Sequence, residues 1–212
     1  VGHLAHLLPH GVAFVVERLR LMMGRASAKK LKPVLTPVLK LDLGCGPHKR
    51  EGFTGVDRHA FEGVDQVADL TKPWPWKDGS VVEAHCSHFL EHLTAAQRVF
   101  FCNELYRVLH PGGVCQIVVP HWASCRAYGD PTHQWPPVSE FWFYYLNREW
   151  RMANAPHADA SIWAQGFSCN LEATWGYSLR PDITVRNQEY QQFAIGNYKE
   201  VVTDMIATLK KV

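Results

Sequence analysis

The stretch LDLGCGPHKREGFTGVD, residues 41–57, constrains the fold more than any other part of the chain. Val38 to Leu43 is a β-type run that ends in Gly44-Cys45-Gly46. A strand running into such a turn exposes backbone amides at the carboxyl end of a sheet, where parallel α/β sheets bind their ligands. A dinucleotide fingerprint would place another glycine at position 49, which is Lys49, and its acidic ribose partner about 20 residues on. Asp57 comes much sooner, and the interval has little room for a long helix whose N-terminus faces a pyrophosphate. The loop therefore suits a nucleoside ligand with no phosphate chain, whose ribose hydroxyls Asp57 would hold.

From Val38 onward, short apolar runs alternate with turns and helical stretches, the pattern of an α/β fold with a mainly parallel sheet. Strands are predicted at Val38 to Leu43, Thr54 to Asp57, Val64 to Val67, Val81 to Cys86 and Val114 to Pro120. Between the last two lies a helix. Thr94 and Gln97 form a capping box, Val99, Phe100, Leu105, Val108 and Leu109 supply the buried side, and Pro111-Gly112-Gly113 stops it. Residues 121–165 form an aromatic-rich insertion, with Val138 to Leu146 helical, which serves as a substrate lid or as a structural cap over the core. Phe167 to Leu179 reads as extended and Tyr198 to Leu209 as a closing helix, with no evident final antiparallel strand. Upstream, Val12, Val15, Val16, Leu19, Met22 and Met23 recur at helical spacing over residues 11–23, and Lys29 to Pro37 reads as a linker. The division is thus an appendage, 1–37, and a domain, 38–212.

HFLEH, residues 88–92, matches the inverted zinc-peptidase signature H-x-x-E-H. On an α-helix His88 and His92 would share a face and Glu91 would activate a water. The motif follows a β-type run, SVVEAHCS, and precedes the capping box at Thr94, so any helical piece is short. Its residues are expected to line a pocket, with Glu91 a local hydrogen-bonding partner and no metal bound.

Taken in order, LDLGCG, the VD after the next strand, ADL at 68–70, SHFLEHL at 87–93 and ELYRVLHPGG before strand five resemble the class I S-adenosylmethionine (SAM)-dependent methyltransferases of the small-molecule type. The resemblance runs through residues 38–122. It implies a Rossmann-like, doubly wound sheet with SAM as cofactor. Gly44, Cys45 and Gly46 would line its methionine part, with Asp42 supporting that loop or the SAM amino group. Asp57 and Arg58 would lie at the ribose, Asp69 and Leu70 at the adenine, and Ser87 and His88 at the pocket's closing side.

Methyl transfer from an activated sulfonium needs alignment and exclusion of water, and a base only where the nucleophile must lose a proton. His121 directly follows strand five, and His133 lies in a turn-prone segment with Asp130, which could orient an imidazole. These three are the catalytic candidates, beside the alternative that both histidines only tie the insertion together. Residues 41–212 carry 15 basic and 19 acidic groups, so the body lacks a nucleic-acid footprint, and neither DPPY nor NPPF occurs. The acceptor is expected to be a small molecule. Six scattered cysteines without a CxxC pair indicate reduced thiols, and no apolar run reaches the roughly 18 residues of a membrane span. A cytoplasmic location is expected. A zinc hydrolase built on HFLEH and a catalytically inactive SAM-binding scaffold are the competing readings.

Overall fold

A computed structural model describes residues 39–155 and 166–212. The expected N-terminal helix and linker lie outside these residues. Seven strands form one sheet: β1 (Leu39–Leu43), β2 (Thr54–Asp57), β3 (Gln66–Val67), β4 (Val81–Ser87), β5 (Leu109–Pro120), β6 (Leu171–Leu179) and β7 (Val202–Lys211). Their order is β3-β2-β1-β4-β5-β7-β6. The first five run parallel, and β7 lies antiparallel between β5 and β6. The order reverses beside β1, so the carboxyl ends of β1 and β4 flank the crevice where such sheets take ligands.

The five strands read from the sequence are all present. The closing helix is not: Tyr198 to Leu209 contributes most of β7. Met205, Ala207 and Leu209 are buried while Ile206 is exposed, a period of two along a strand paired on both sides. Val202, Met205 and Leu209 also fit helical spacing, so short apolar runs here satisfy both periods. β7 is the final antiparallel strand that was not evident in the sequence.

Helix α1 (Ala95–Val108) starts at Thr94 with the expected capping box, both reciprocal bonds to Gln97 being present. Phe101, Cys102, Leu105 and Val108 enter the main core from this helix, whereas Phe100 is only partly buried. Phe101 meets Trp74 edge-on at 5.2 Å between ring centres. The helix ends at Val108, before Pro111-Gly112-Gly113. Those three residues fall within β5, where the pairing with β4 jumps from Val81↔Leu109 to Glu83↔Val114 and Gly112 takes φ 76°. They make an irregularity in the strand instead of a helix stop.

The insertion carries the short helices α2 (Glu140–Tyr144) and α3 (Arg148–Asn154). Phe143 stacks on Trp175 of β6 at 6.0 Å and Tyr144 on Trp150 at 5.5 Å, so aromatic side chains of the insertion pack on one another and on β6. Two further helices, α4 (Pro181–Thr184) and α5 (Gln188–Asn197), connect β6 to β7. Among the described residues, no helix is long and apolar enough to cross a membrane.

Candidate functional site

The glycine loop is held by backbone bonds from β2: the amides of Gly44 and Cys45 both donate to the Val56 carbonyl, at 2.8 and 3.1 Å. That doubled contact turns the chain sharply, and Gly44 takes φ 72°. A Cβ built on Gly44 would lie 2.4 Å from Phe89 Cδ2 and 2.9 Å from its Cβ, so glycine is required on steric as well as torsional grounds. Two residues later in the same turn, the Gly46 amide donates to Asp57 Oδ2 at 3.1 Å. Asp57 Oδ1 accepts from the His59 amide at 2.9 Å. The carboxylate at the end of β2 is thereby fixed before any ligand arrives.

Gly44, Asp57, Arg58, Asp69, Leu70 and His88 line one cleft of about 560 Å³ at the carboxyl ends of the strands, within the size range of small-ligand pockets. Phe89, His92, Thr132 and Gln134 complete the side nearest the insertion. Leu70 is buried, and Asp69 is exposed beside it. Hydrogen bonds from the Thr71 hydroxyl, at 2.6 Å, and the Thr71 amide hold the Asp69 carboxyl below its usual range. Asp69 is therefore an acceptor-only group at neutral pH, as recognition of an amino group requires.

Asp42, Cys45, Gly46 and Ser87 stand outside the wall of this cleft. Asp42 is buried, accepts from the Arg50 amide at 2.7 Å and meets His85 Nδ1 at 2.7 Å, bracing the loop against β4. Burial, followed by the nearby Asp42 and Asp57 carboxylates, pushes the Cys45 thiol up to about 11, so it stays neutral. Gly46 acts on the cleft through Asp57.

HFLEH does not form the peptidase arrangement. Leu90–His92 is a single 3-10 turn, and His88 sits before it at φ 51°, so no helical face aligns the two histidines. A left-handed backbone at a histidine is strained and is characteristic of functional sites. His88 Nδ1 lies 3.2 Å from Glu91 Oε1, the local partnership expected of Glu91. This hydrogen bond is the main reason that the imidazole is held above its ordinary pKa, against the opposing effect of burial.

His88 and His92 also line a second opening of about 500 Å³, with Glu91, Pro120, Arg126, Asp130 and His133. Two of the three catalytic candidates, Asp130 and His133, are brought together there, Nε2 to Oδ2 at 3.8 Å. His121 is not. It is 3% exposed, its Nδ1 accepts from the Ala123 amide at 3.2 Å and its Nε2 meets Glu140 Oε1 at 2.9 Å.

Arg98 went unrecognised in the sequence. It is 1% exposed, and its guanidinium donates to four backbone carbonyls: Leu90 and Glu91 in the HFLEH turn, Gln134 and Pro136 in the insertion. The Gln134 amide adds a bond to the Glu91 carbonyl at 2.8 Å. Arg98 thus locks the HFLEH turn to the adjoining segment of the insertion, both of which contribute to the clefts. An arginine on an amphipathic helix carries no sequence signal separating this role from a solvated surface position.

Residues 50–117 match a family model described as a methyltransferase domain. No curated protein matches the chain. Among solved structures, the chain is similar to a SAM-dependent methyltransferase from Archaeoglobus fulgidus, with 19% identity, 93% of each chain covered and a TM-score of 0.56. Another is a SAM-dependent methyltransferase from Methanosarcina mazei, at 15% identity over 86% of this chain and 98% of that one, with a TM-score of 0.49. The chain thus has the Rossmann-like fold of the class I SAM-dependent methyltransferases, and residues 50–117 are the part that matches the methyltransferase-domain model.

Proposed function

We propose that the chain transfers the methyl group of SAM to a small-molecule acceptor. The observation that carries this reading is the convergence of Gly44, Asp57, Asp69 and Leu70 on one cleft at the sheet's crevice. The donor set suits SAM: a prefixed carboxylate for two ribose hydroxyls, an acceptor carboxylate beside an apolar side chain for an aminopurine, and a glycine turn too short for a pyrophosphate.

Bound there, SAM would supply a methyl group already activated by its sulfonium charge. The protein's own task is placement. Asp57 would orient the ribose, Asp69 and Leu70 the adenine, and the Gly44 turn, with Asp42 and Cys45 behind it, would shape the methionine end. Ser87 would set the height of His88, and Arg58 would flank the ribose side. The second opening, adjoining the first through His88 and His92, is the proposed acceptor pocket. His133 and Asp130 would act on the acceptor, and His121 would support them by anchoring the insertion. Residues 121–165 would then be both lid and cap on the domain spanning 38–212, with 1–37 an appendage and the protein working in the cytoplasm.

Calorimetry with SAM and with S-adenosylhomocysteine tests the first half of this reading, and turnover on a set of small hydroxyl, amine and thiol acceptors the second. Micromolar binding of both nucleosides with methyl transfer to at least one acceptor is expected. Binding of neither would overturn the proposal, and binding without turnover would leave a SAM-binding scaffold.

A further inference from the structure

We infer that Glu91, His92 and His133 form a site for one divalent transition-metal ion at the junction of the two clefts. One ligand atom from each lies within 4.8 Å of the others, although His133 is 41 residues from His92 in the chain. Bonds of about 2.0 to 2.2 Å to a tetrahedral ion place its ligand atoms about 3.4 Å apart, so a modest inward movement closes the set.

Three observations make this more than proximity. First, Glu91 is 3% exposed and lines the acceptor opening, yet its Oε2 is buried with no hydrogen-bond partner, its other oxygen being taken by His88. A buried carboxylate oxygen left unpaired is costly, and a cation at that face removes the cost.

Second, both imidazoles are hydrogen-bonded at Nδ1, which leaves Nε2 as the nitrogen available to a metal. The Thr132 hydroxyl lies 2.7 Å from Asp130 Oδ1 and 3.0 Å from His92 Nδ1. Its one hydrogen goes to the carboxylate, which can only accept, so Oγ1 accepts from His92 Nδ1–H and Nε2 keeps its lone pair. His133 Nδ1 is 3.1 Å from the Ala127 carbonyl and must donate, which frees its Nε2 likewise. Carbonyl and hydroxyl–carboxylate partners behind ligand histidines are the usual outer support of a metal site.

Third, His133 Nε2 lies 3.8 Å from Asp130 Oδ2, so a second carboxylate borders the site and adds to its pull on a cation. Arg98 joins the HFLEH turn to the insertion and so holds His92 and His133 together from behind.

Two imidazoles and one carboxylate suit Zn²⁺ and its first-row neighbours and are a poor set for Mg²⁺ or Ca²⁺. Three protein ligands leave at least one position open toward the acceptor opening. The remaining ligand would be an oxygen donor on the acceptor: a hydroxyl, phenol or carboxylate. That last assignment rests on the methyl-transfer reading, and the metal site itself does not. The ligands also differ from those of the zinc-peptidase motif, because His88 is replaced by His133.

The test uses the full chain, stripped with chelator and titrated with Zn²⁺ and with Co²⁺, alongside S-adenosylhomocysteine calorimetry on the same preparation. One equivalent of Zn²⁺ and a visible Co²⁺ absorption of low-symmetry, four- or five-coordinate type are expected. The exposed His92→Ala should lower affinity at least tenfold and abolish the Co²⁺ band, and Thr132→Val should lower it several-fold. Glu91→Gln serves as a further arm if it retains the wild-type thermal transition. Zinc binding absent from the wild type, or unaltered in His92→Ala, would overturn the site. If zinc fails and S-adenosylhomocysteine still binds, only the metal site falls. If zinc binds and S-adenosylhomocysteine does not, the methyl-transfer reading falls and the metal site stands.

Discussion

The His121 imidazole meets the Glu140 carboxylate at 2.9 Å and thereby ties the end of β5 to the first turn of α2. The same Oε1 accepts from the Tyr177 hydroxyl of β6 at 2.9 Å, and Oε2 accepts from Trp122 Nε1 at 2.8 Å. Because His121 Nδ1 already accepts the Ala123 amide, its Nε2 carries the proton and donates. One carboxylate gathers three segments: the end of β5, α2 and β6.

This network predicts an acid-sensitive insertion. Burial alone would raise the Glu140 pKa, but hydrogen bonds from His121, its own amide and Tyr177 win and bring it down to about 2 from 4.5. A depressed carboxyl contributes stability that is full above pH 4.5 and is lost as pH falls toward the folded value. Glu140→Gln should therefore cost about 1 to 2 kcal/mol at neutral pH, the carboxylate being partly screened. It should also flatten the decline in thermal midpoint between pH 4.5 and 2. An unchanged slope in melts across that window would remove Glu140 from this role.

Arg98 should be among the least replaceable residues away from the clefts. Arg98→Met keeps the stem and strands four carbonyl acceptors, so a loss of about 3 kcal/mol is expected in denaturant melts. Since the guanidinium joins the two walls, the exposure of Gln134 and His133 should rise as well. Faster amide exchange at Gln134, whose N–H donates to Glu91, would report this even at temperatures where the variant stays folded.

The parts of the molecule that were legible in the sequence are those where one residue type answers one physical demand. Gly44 answers a left-handed turn, Asp57 a strand end beside that turn, and Thr94 with Gln97 a helix start. Asp69 and Leu70 followed from a motif in order. What was not legible depended on partners distant in the chain. β7 exists because β5 and β6 offer it ladders on both sides, and its apolar spacing alone fits a helix equally well. His121 and His133 are alike in sequence, one buried in the Glu140 network and the other at the second opening. Only the path of the insertion separates them. The role of Arg98 depends on four carbonyls and on no side chain, which leaves no pattern to read.

Gly44 gives a direct test of the loop. Gly44→Ala forces a Cβ against Phe89 at φ 72°, so both the turn and the ring must move. A destabilisation of about 1 to 3 kcal/mol is expected, with binding of S-adenosylhomocysteine weakened beyond tenfold. Gly46→Ala is the contrast: its built Cβ meets nothing within 4 Å, and only the φ of 53° is strained. A smaller loss in both readouts should follow. Equal losses in the two variants would mean that the Phe89 contact is immaterial.

Asp57 separates ribose recognition from loop support. Its carboxylate holds the Gly46 and His59 amides in the free protein and is the proposed acceptor for two ribose hydroxyls. Asp57→Asn keeps the shape and one carbonyl oxygen but replaces the other acceptor with a donor. Loss of a charge-assisted pair of bonds is worth about 1.5 to 3 kcal/mol, or roughly ten- to a hundredfold in affinity for S-adenosylhomocysteine. Asp57→Ala also frees the two amides, so it should lower the thermal midpoint further than Asp57→Asn does. Adenine alone, which lacks the ribose, should bind both variants as weakly as it binds the wild type. If S-adenosylhomocysteine bound Asp57→Asn as tightly as the wild type, the ribose would have to lie elsewhere in the cleft.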